Sequence, residues 1–136
     1  MLEPIEIKFI EIQDHRFNAT IGDWWKDDKG YHIIITKMSD WRYEVTVLFH
    51  ELTEIFISRH QGVSSKAADS WDAFFDTEYE EGRQPLHNEP GFDKRCPYYI
   101  GHWWGDKIER IILFLLGGDW KKYCKECEEL TVILDK

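Results

Sequence analysis

The run His50-Glu51-Leu52-Thr53-Glu54 places an imidazole and a carboxylate four residues apart, with a second carboxylate between them. On a helix, residues four apart stand side by side one turn on. His50 and Glu54 are therefore a candidate pair of ligands for a divalent cation, and Glu51 a candidate general base. The arrangement recurs downstream, where His102 and Asp106 are four apart and Glu109 is seven from His102. Two helices with matching His-x-x-x-acid pairs can face each other and hold one cation, as helix bundles do. The expected ligands are His50, Glu54 and His102, with a fourth position left for water. Asp106 or Glu109 then ligates directly or orients an imidazole from behind.

These side chains need helices to carry them, and the sequence supplies the punctuation. Asp40 caps a helix that starts near Trp41 and runs to about His60, where Gly62 supplies the stop. A second helix is predicted from Ser65 to about Glu80. A third starts between Pro97 and Ile100 and ends at Gly117-Gly118, and a short fourth covers Asp119 to Glu129. Ahead of them, Ile5 to Ile12 alternates apolar and charged residues as a half-exposed strand does. Trp24-Trp25 and the stretch Tyr31 to Met38 flank the turn-forming cluster Asp27-Asp28-Lys29-Gly30, which reads as a hairpin. Residues 1–136 thus form one α+β domain, an N-terminal β-hairpin or small sheet packed on three to four helices. The connection from Gly82 to Tyr98 is long enough to expect a functional loop, and Leu130 to Leu134 form a strand or dock on the core.

With His50 at zero and about 100° per residue, Val45, Leu48, Phe49, Leu52, Ile55 and Phe56 gather on the opposite side, as a core stripe does. Tyr43, Val47 and Ile57 share the side of His50 and Glu54, so the helix is expected to be buried on both. On the third helix the same construction sets Trp104, Ile108, Ile111 and Leu115 opposite His102, as that helix's core face.

The His50 segment resembles the His-Glu-x-x-His helix of zincin metallopeptidases, with Glu54 in place of the second His. The resemblance implies a zinc-dependent hydrolase, with His50 and Glu54 as ligands, Glu51 as the base that activates a water, and possible peptide substrates. It also implies an edge strand near the helix, for which Tyr31 to Met38 is the candidate. Together, Gly22-Asp23-Trp24-Trp25, His50-Glu51-x-x-Glu54 and Glu89-Pro90-Gly91 resemble small uncharacterised phage and prophage proteins, which implies no activity.

Composition narrows the function classes. A net charge of −9 repels phosphate backbones, so no nucleic-acid partner is expected. The longest apolar run, Ile111 to Leu116, is too short to span a bilayer, and the first residues lack a signal-peptide pattern. Three cysteines, an odd number, fit a reducing compartment, and a cytoplasmic protein is expected. Two alternatives stand beside the zinc hydrolase. Glu51-x-x-Glu54 with Asp106-x-x-Glu109 resembles the paired acidic helices of magnesium-dependent nucleotide pyrophosphatases. Seven tryptophans would also suit a non-catalytic interaction module. Glu109 is expected to pair with Lys107 and Arg110 on an exposed edge, and Asp69, Asp72 and Asp76 to lie on a solvated face. Cys124-x-x-Cys127 lacks a second pair, and His15, His32, His60 and His87 read as surface residues.

Overall fold

A computed structural model describes residues 1–18, 20–84 and 89–133, so His87 and Leu134 lie outside the described residues. The chain is α+β. Strands β1 (Ile5–Ile10), β2 (Gly22–Asp27) and β3 (Gly30–Thr36) precede helices α1 (Trp41–His60), α2 (Ser65–Glu80), α3 (Tyr99–Leu115) and α4 (Trp120–Ile133). A 3-10 turn at Pro90–Phe92 interrupts the long connection before α3. Leu130 and the residues up to Ile133 extend α4 instead of forming a strand. Among the described residues no helix is long and apolar enough to cross a membrane.

The predicted hairpin is β2–β3, whose ladder closes on the pair Asp27 and Gly30. Gly30 takes a φ of 126°, and a Cβ there would strike the Pro4 carbonyl, which accepts a hydrogen bond from Tyr31 N at 2.8 Å. Glycine is required on both counts. Strand β1 pairs in parallel with β3, giving the order β1-β3-β2. The stretch proposed as an edge strand beside the active helix is therefore the central one, and Ile33 and Ile35 are fully buried because they share the face that packs in the core with Tyr43, Val47 and Ile55 of α1. The edge strand nearest α1 is β2, through Trp24 and Gly22.

Helix α1 begins where Asp40 accepts from Arg42 N at 2.9 Å, and ends before Gly62 with Val63 N bonded to Ser58 O. Its two-sided burial differs from expectation. Tyr43, Thr46, Val47, His50, Glu51, Glu54, Ile55 and Ser58 are buried, whereas Phe49 and Phe56 of the expected core stripe are exposed. The same inversion holds on α3, whose buried residues are Gly101, His102, Gly105 and Leu113, while Trp104, Ile111 and Leu115 face outward. The cause is steric. The side of α3 that carries two glycines lets α1 approach closely, and the polar residues beside them are enclosed with the contact.

Candidate metal centre

Helices α1 and α3 pack antiparallel. The Gly101 position abuts the backbone of Glu54 and the hydroxyl of Ser58, and Gly105 abuts the His50 ring. A Cβ at Gly105 would stand 2.8 Å from His50 Nδ1, and one at Gly91 would run into the His102 ring. The 3-10 turn thus presses on His102 from one side while α1 meets it from the other.

In that seam three ligand atoms form a nearly equilateral triangle. His50 Nε2 lies 3.1 Å from Glu54 Oε2, His102 Nδ1 lies 3.1 Å from the same oxygen, and the two nitrogens are 3.1 Å apart. Tetrahedral zinc with bonds of ~2.0–2.1 Å separates its ligands by about 3.3 Å, and an octahedral ion with bonds of ~2.1 Å by about 3.0 Å. A single divalent ion therefore fits within bonding distance of all three atoms.

Behind the triangle, carboxylates stand close to the outer ring nitrogens without hydrogen-bond alignment, and the far oxygen of Glu54 has a donor. His50 Nδ1 is 2.5 Å from Glu109 Oε1, and His102 Nε2 is 3.1 Å from Glu89 Oε2. The remaining oxygen of Glu54 accepts a hydrogen bond from Trp24 Nε1 at 2.9 Å. A carboxylate beside the outer ring nitrogen favours the proton there and leaves the inner lone pair for a ligand, the carboxylate–histidine–metal pattern. Burial lowers the affinity of His50 for a proton, but Glu109 and Glu54 outweigh it and raise its pKa well above the usual value. Burial likewise opposes protonation of His102, yet Glu54 and Glu89 bring its pKa up to about 10. Burial would raise Glu54, and the two imidazoles instead hold it down to about 2. Without an ion, the site balances its carboxylates with protons on the rings.

The triangle opens on a cavity of about 630 Å³, lined among others by Glu51, Asp72, Tyr98 and Asp106. Glu51 is buried, packs against Gly22, and has no hydrogen-bond partner among the described residues. Burial first, and then the charge of Glu54, push its pKa well up. Asp106 Oδ1 lies 3.6 Å from His50 Nδ1 and 4.0 Å from His102 Nε2, behind the rings, so it stands in the outer layer beside Glu109. Together with His50, Asp106 and Glu109 make a second, less buried cluster of possible ligands.

The structure thus brings His50, Glu54 and His102 together and sets Asp106 against the imidazoles' outer nitrogens. Three expectations need correction. Glu109 is no exposed partner of Lys107 and Arg110, because it is largely enclosed between His50 and the Tyr123 hydroxyl. Asp72 does not lie on a solvated face: it accepts a hydrogen bond from Tyr98, and burial raises its pKa to about 8. His15 is half buried against Thr36. Glu89 is the member of the cluster that sequence spacing could not find, since it reaches His102 from the long connection. Trp24 and Gly105 were also hidden, although Gly101-x-x-x-Gly105 beside His102 signals a close helix contact. All three cysteines are free, and among the described residues no possible metal cluster includes one.

Comparison of the chain with protein-family models, with curated proteins and with solved structures returned no match.

Proposed function

We propose that the protein is a divalent-metal-dependent hydrolase, with His50, Glu54 and His102 as the ligands and Glu51 as the general base. The observation that carries this reading is the doubly supported triangle. Three buried donors meet at 3.1 Å, and each histidine is backed by its own carboxylate. A hydrogen-bonded network with no ion needs no such convergence of lone pairs, whereas a metal centre requires it. Zinc is the preferred ion, and the three protein ligands leave a position open toward the cavity, as catalytic sites do.

A bound ion supplies Lewis-acid polarisation of a carbonyl and a lowered pKa for water. The chain's own residues do the rest. Glu51 faces the same cavity with an unpaired carboxyl; a bound cation would offset the charge of Glu54 and favour the ionised form of Glu51, which would then accept the proton of the attacking water. Tyr98 and Asp72, hydrogen-bonded to each other, also line the cavity and offer a proton to the leaving group. Nine carboxyl groups line the cavity against only Lys107 and Arg110, and those two cations lie over Trp103 and Trp120. That balance supports neutral or cationic acyl substrates, small peptides among them, over nucleoside triphosphates, which need cations around their phosphates. Three free thiols suit a reducing, cytoplasmic setting.

The test is zinc content together with hydrolysis of a panel of amides, esters and nucleotides. Wild type should carry one ion per chain and cleave an acyl substrate, and Glu51→Gln should keep fold and ion while losing the activity. Two histidines and one carboxylate also hold ferrous iron in oxygenases. Iron in place of zinc, with oxygen consumed and no hydrolysis, would sink the hydrolase reading while leaving the metal centre intact.

A further inference from the structure

The helix faces turned away from the metal centre carry their own information. Helices α1 and α3 run antiparallel, and Arg42 on the outer flank of α1 donates to the Leu116 and Gly117 carbonyls at the end of α3, so the outer flanks of the two helices adjoin. On α3, with His102 at zero, the arc from about 120° to 240° contains Ile100, Trp104, Ile108, Ile111, Phe114, Leu115 and a single charged residue, Lys107. On α1, with His50 at zero, the arc from about 180° to 300° holds Trp41, Val45, Phe49, Leu52 and Phe56 together with Arg42, Thr53, Arg59 and His60, and no acidic residue. Asp and Glu number 26 in this chain, so two adjacent helix faces without one are a strong departure.

Exposure across this surface is large. Phe49, Phe56, Trp104, Ile111, Leu115 and Phe114 are 40% to 80% exposed. At ~150–250 Å² for a large side chain, they present on the order of 700 Å² of apolar surface. The largest apolar patch on a typical monomer is about 300–600 Å². A standard protein interface buries about 800 Å² on each partner, which this face, with the partly exposed Leu52 and Ile108 beside it, nearly supplies.

We propose that this face is the interface of a twofold dimer, in which α1 and α3 of two copies form a four-helix bundle with each metal site on its outer side. Three observations select a second copy as the occupant. The area matches what a stable dimer needs. Ile100, Trp104, Ile111 and Phe114 fall on the four-, three-, four- and three-residue steps of a helix-packing seam whose remaining position is Lys107. Two chains of net charge −9 repel wherever acids face each other, and this is a face on which they can meet without that repulsion. A twofold contact is self-complementary, and the basic residues on these arcs are engaged within their own chain, Arg42 by Asp40, Arg59 by Glu3 and Lys107 over the Trp103 ring.

Sedimentation equilibrium of the purified chain should give twice the monomer mass of 16.4 kDa. Ile111→Glu and Phe114→Glu should each raise the dimer Kd by at least about tenfold, with helical circular dichroism and metal content unchanged. Both positions are solvent-facing in the monomer, and Leu115→Lys serves as a third variant if either glutamate variant expresses poorly. A wild type that stays monomeric into the upper micromolar range overturns the proposal, whatever else the face binds. So does a dimer that survives all the substitutions.

Discussion

His50 Nε2 and His102 Nδ1 lie 3.1 Å apart in the seam between two helices, although 52 residues separate them in the chain. Both side chains are almost wholly buried, and both nitrogens also approach the same oxygen of Glu54. Such a trio is stable in two ways, by protons shared with the carboxylate or by an ion in the centre. An ion adds binding free energy to folding. His102→Ala should therefore abolish stoichiometric zinc measured by mass spectrometry. It should also remove the rise in melting temperature that zinc gives the wild type after chelation and reloading. A variant that retained one tightly held ion per chain would exclude His102 as a ligand.

The carboxylates behind the rings should matter unequally. Glu109 Oε1 is 2.5 Å from its histidine and the residue is largely enclosed, whereas Glu89 Oε2 is 3.1 Å away with a side chain nearly half exposed. Solvent screens the second contact more than the first. Glu109→Gln should weaken zinc binding by about 10–100-fold, and Glu89→Gln by less. Competition titrations with a coloured chelator give both constants. Equal losses, or none for Glu109→Gln, would refute the assignment of Glu109 as the orienting group.

Gly105→Ala separates packing from propensity. Alanine favours a helix interior over glycine by about 1 kcal/mol, so propensity alone predicts a more stable protein. Against it, the new Cβ would stand 2.8–3.0 Å from three atoms of the His50 ring. That ring is held between Glu54 and Glu109 and has nowhere to retreat. Overpacking costs about 1–3 kcal/mol, so the clash wins. Urea unfolding should show a net loss of stability, and zinc affinity should fall with it. A stabilised variant with unchanged affinity would mean that α3 shifts freely.

Much of this architecture is legible from local signals. Asp40 and Gly62 bracket α1, and the Asp27-to-Gly30 turn fixes the hairpin. The candidate ligand set is legible because His50 and Glu54, like His102 and Asp106, obey helical spacing. What misleads is the assumption that apolar means inward. Phe49 and Phe56 of the α1 stripe, and Trp104, Ile111 and Leu115 of the α3 stripe, are exposed, because the glycines on α3 determine which side the two helices share. Periodicity reports that a stripe exists, not what covers it. Glu89 and Asp72 were beyond reach for another reason: each meets its partner through tertiary contacts to residues far along the chain or in the connecting turn.

Asp72 gives the last prediction, because its pKa in the fold is raised from an ordinary 3.8 to about 8, chiefly by burial. Between those two values the unfolded chain has lost the proton while the folded chain keeps it. The unfolded state then binds fewer protons, so stability falls as pH rises through this window. The Asp72 contribution is whole below the lower value and is lost progressively up to the higher one. Asparagine cannot ionise, yet its carbonyl oxygen still accepts the Tyr98 hydroxyl. Asp72→Asn should therefore gain stability relative to wild type as pH rises. The gain has a ceiling of about 1.4 kcal/mol per pH unit, and solvent at the partly exposed carboxyl lowers it. Urea midpoints between about pH 5 and pH 8, taken in chelator to keep metals out, measure the difference directly. Glu51 and Asp106 titrate alike in both proteins and cancel in the comparison. A difference that stays constant across the range would show that Asp72 is ionised in the fold throughout.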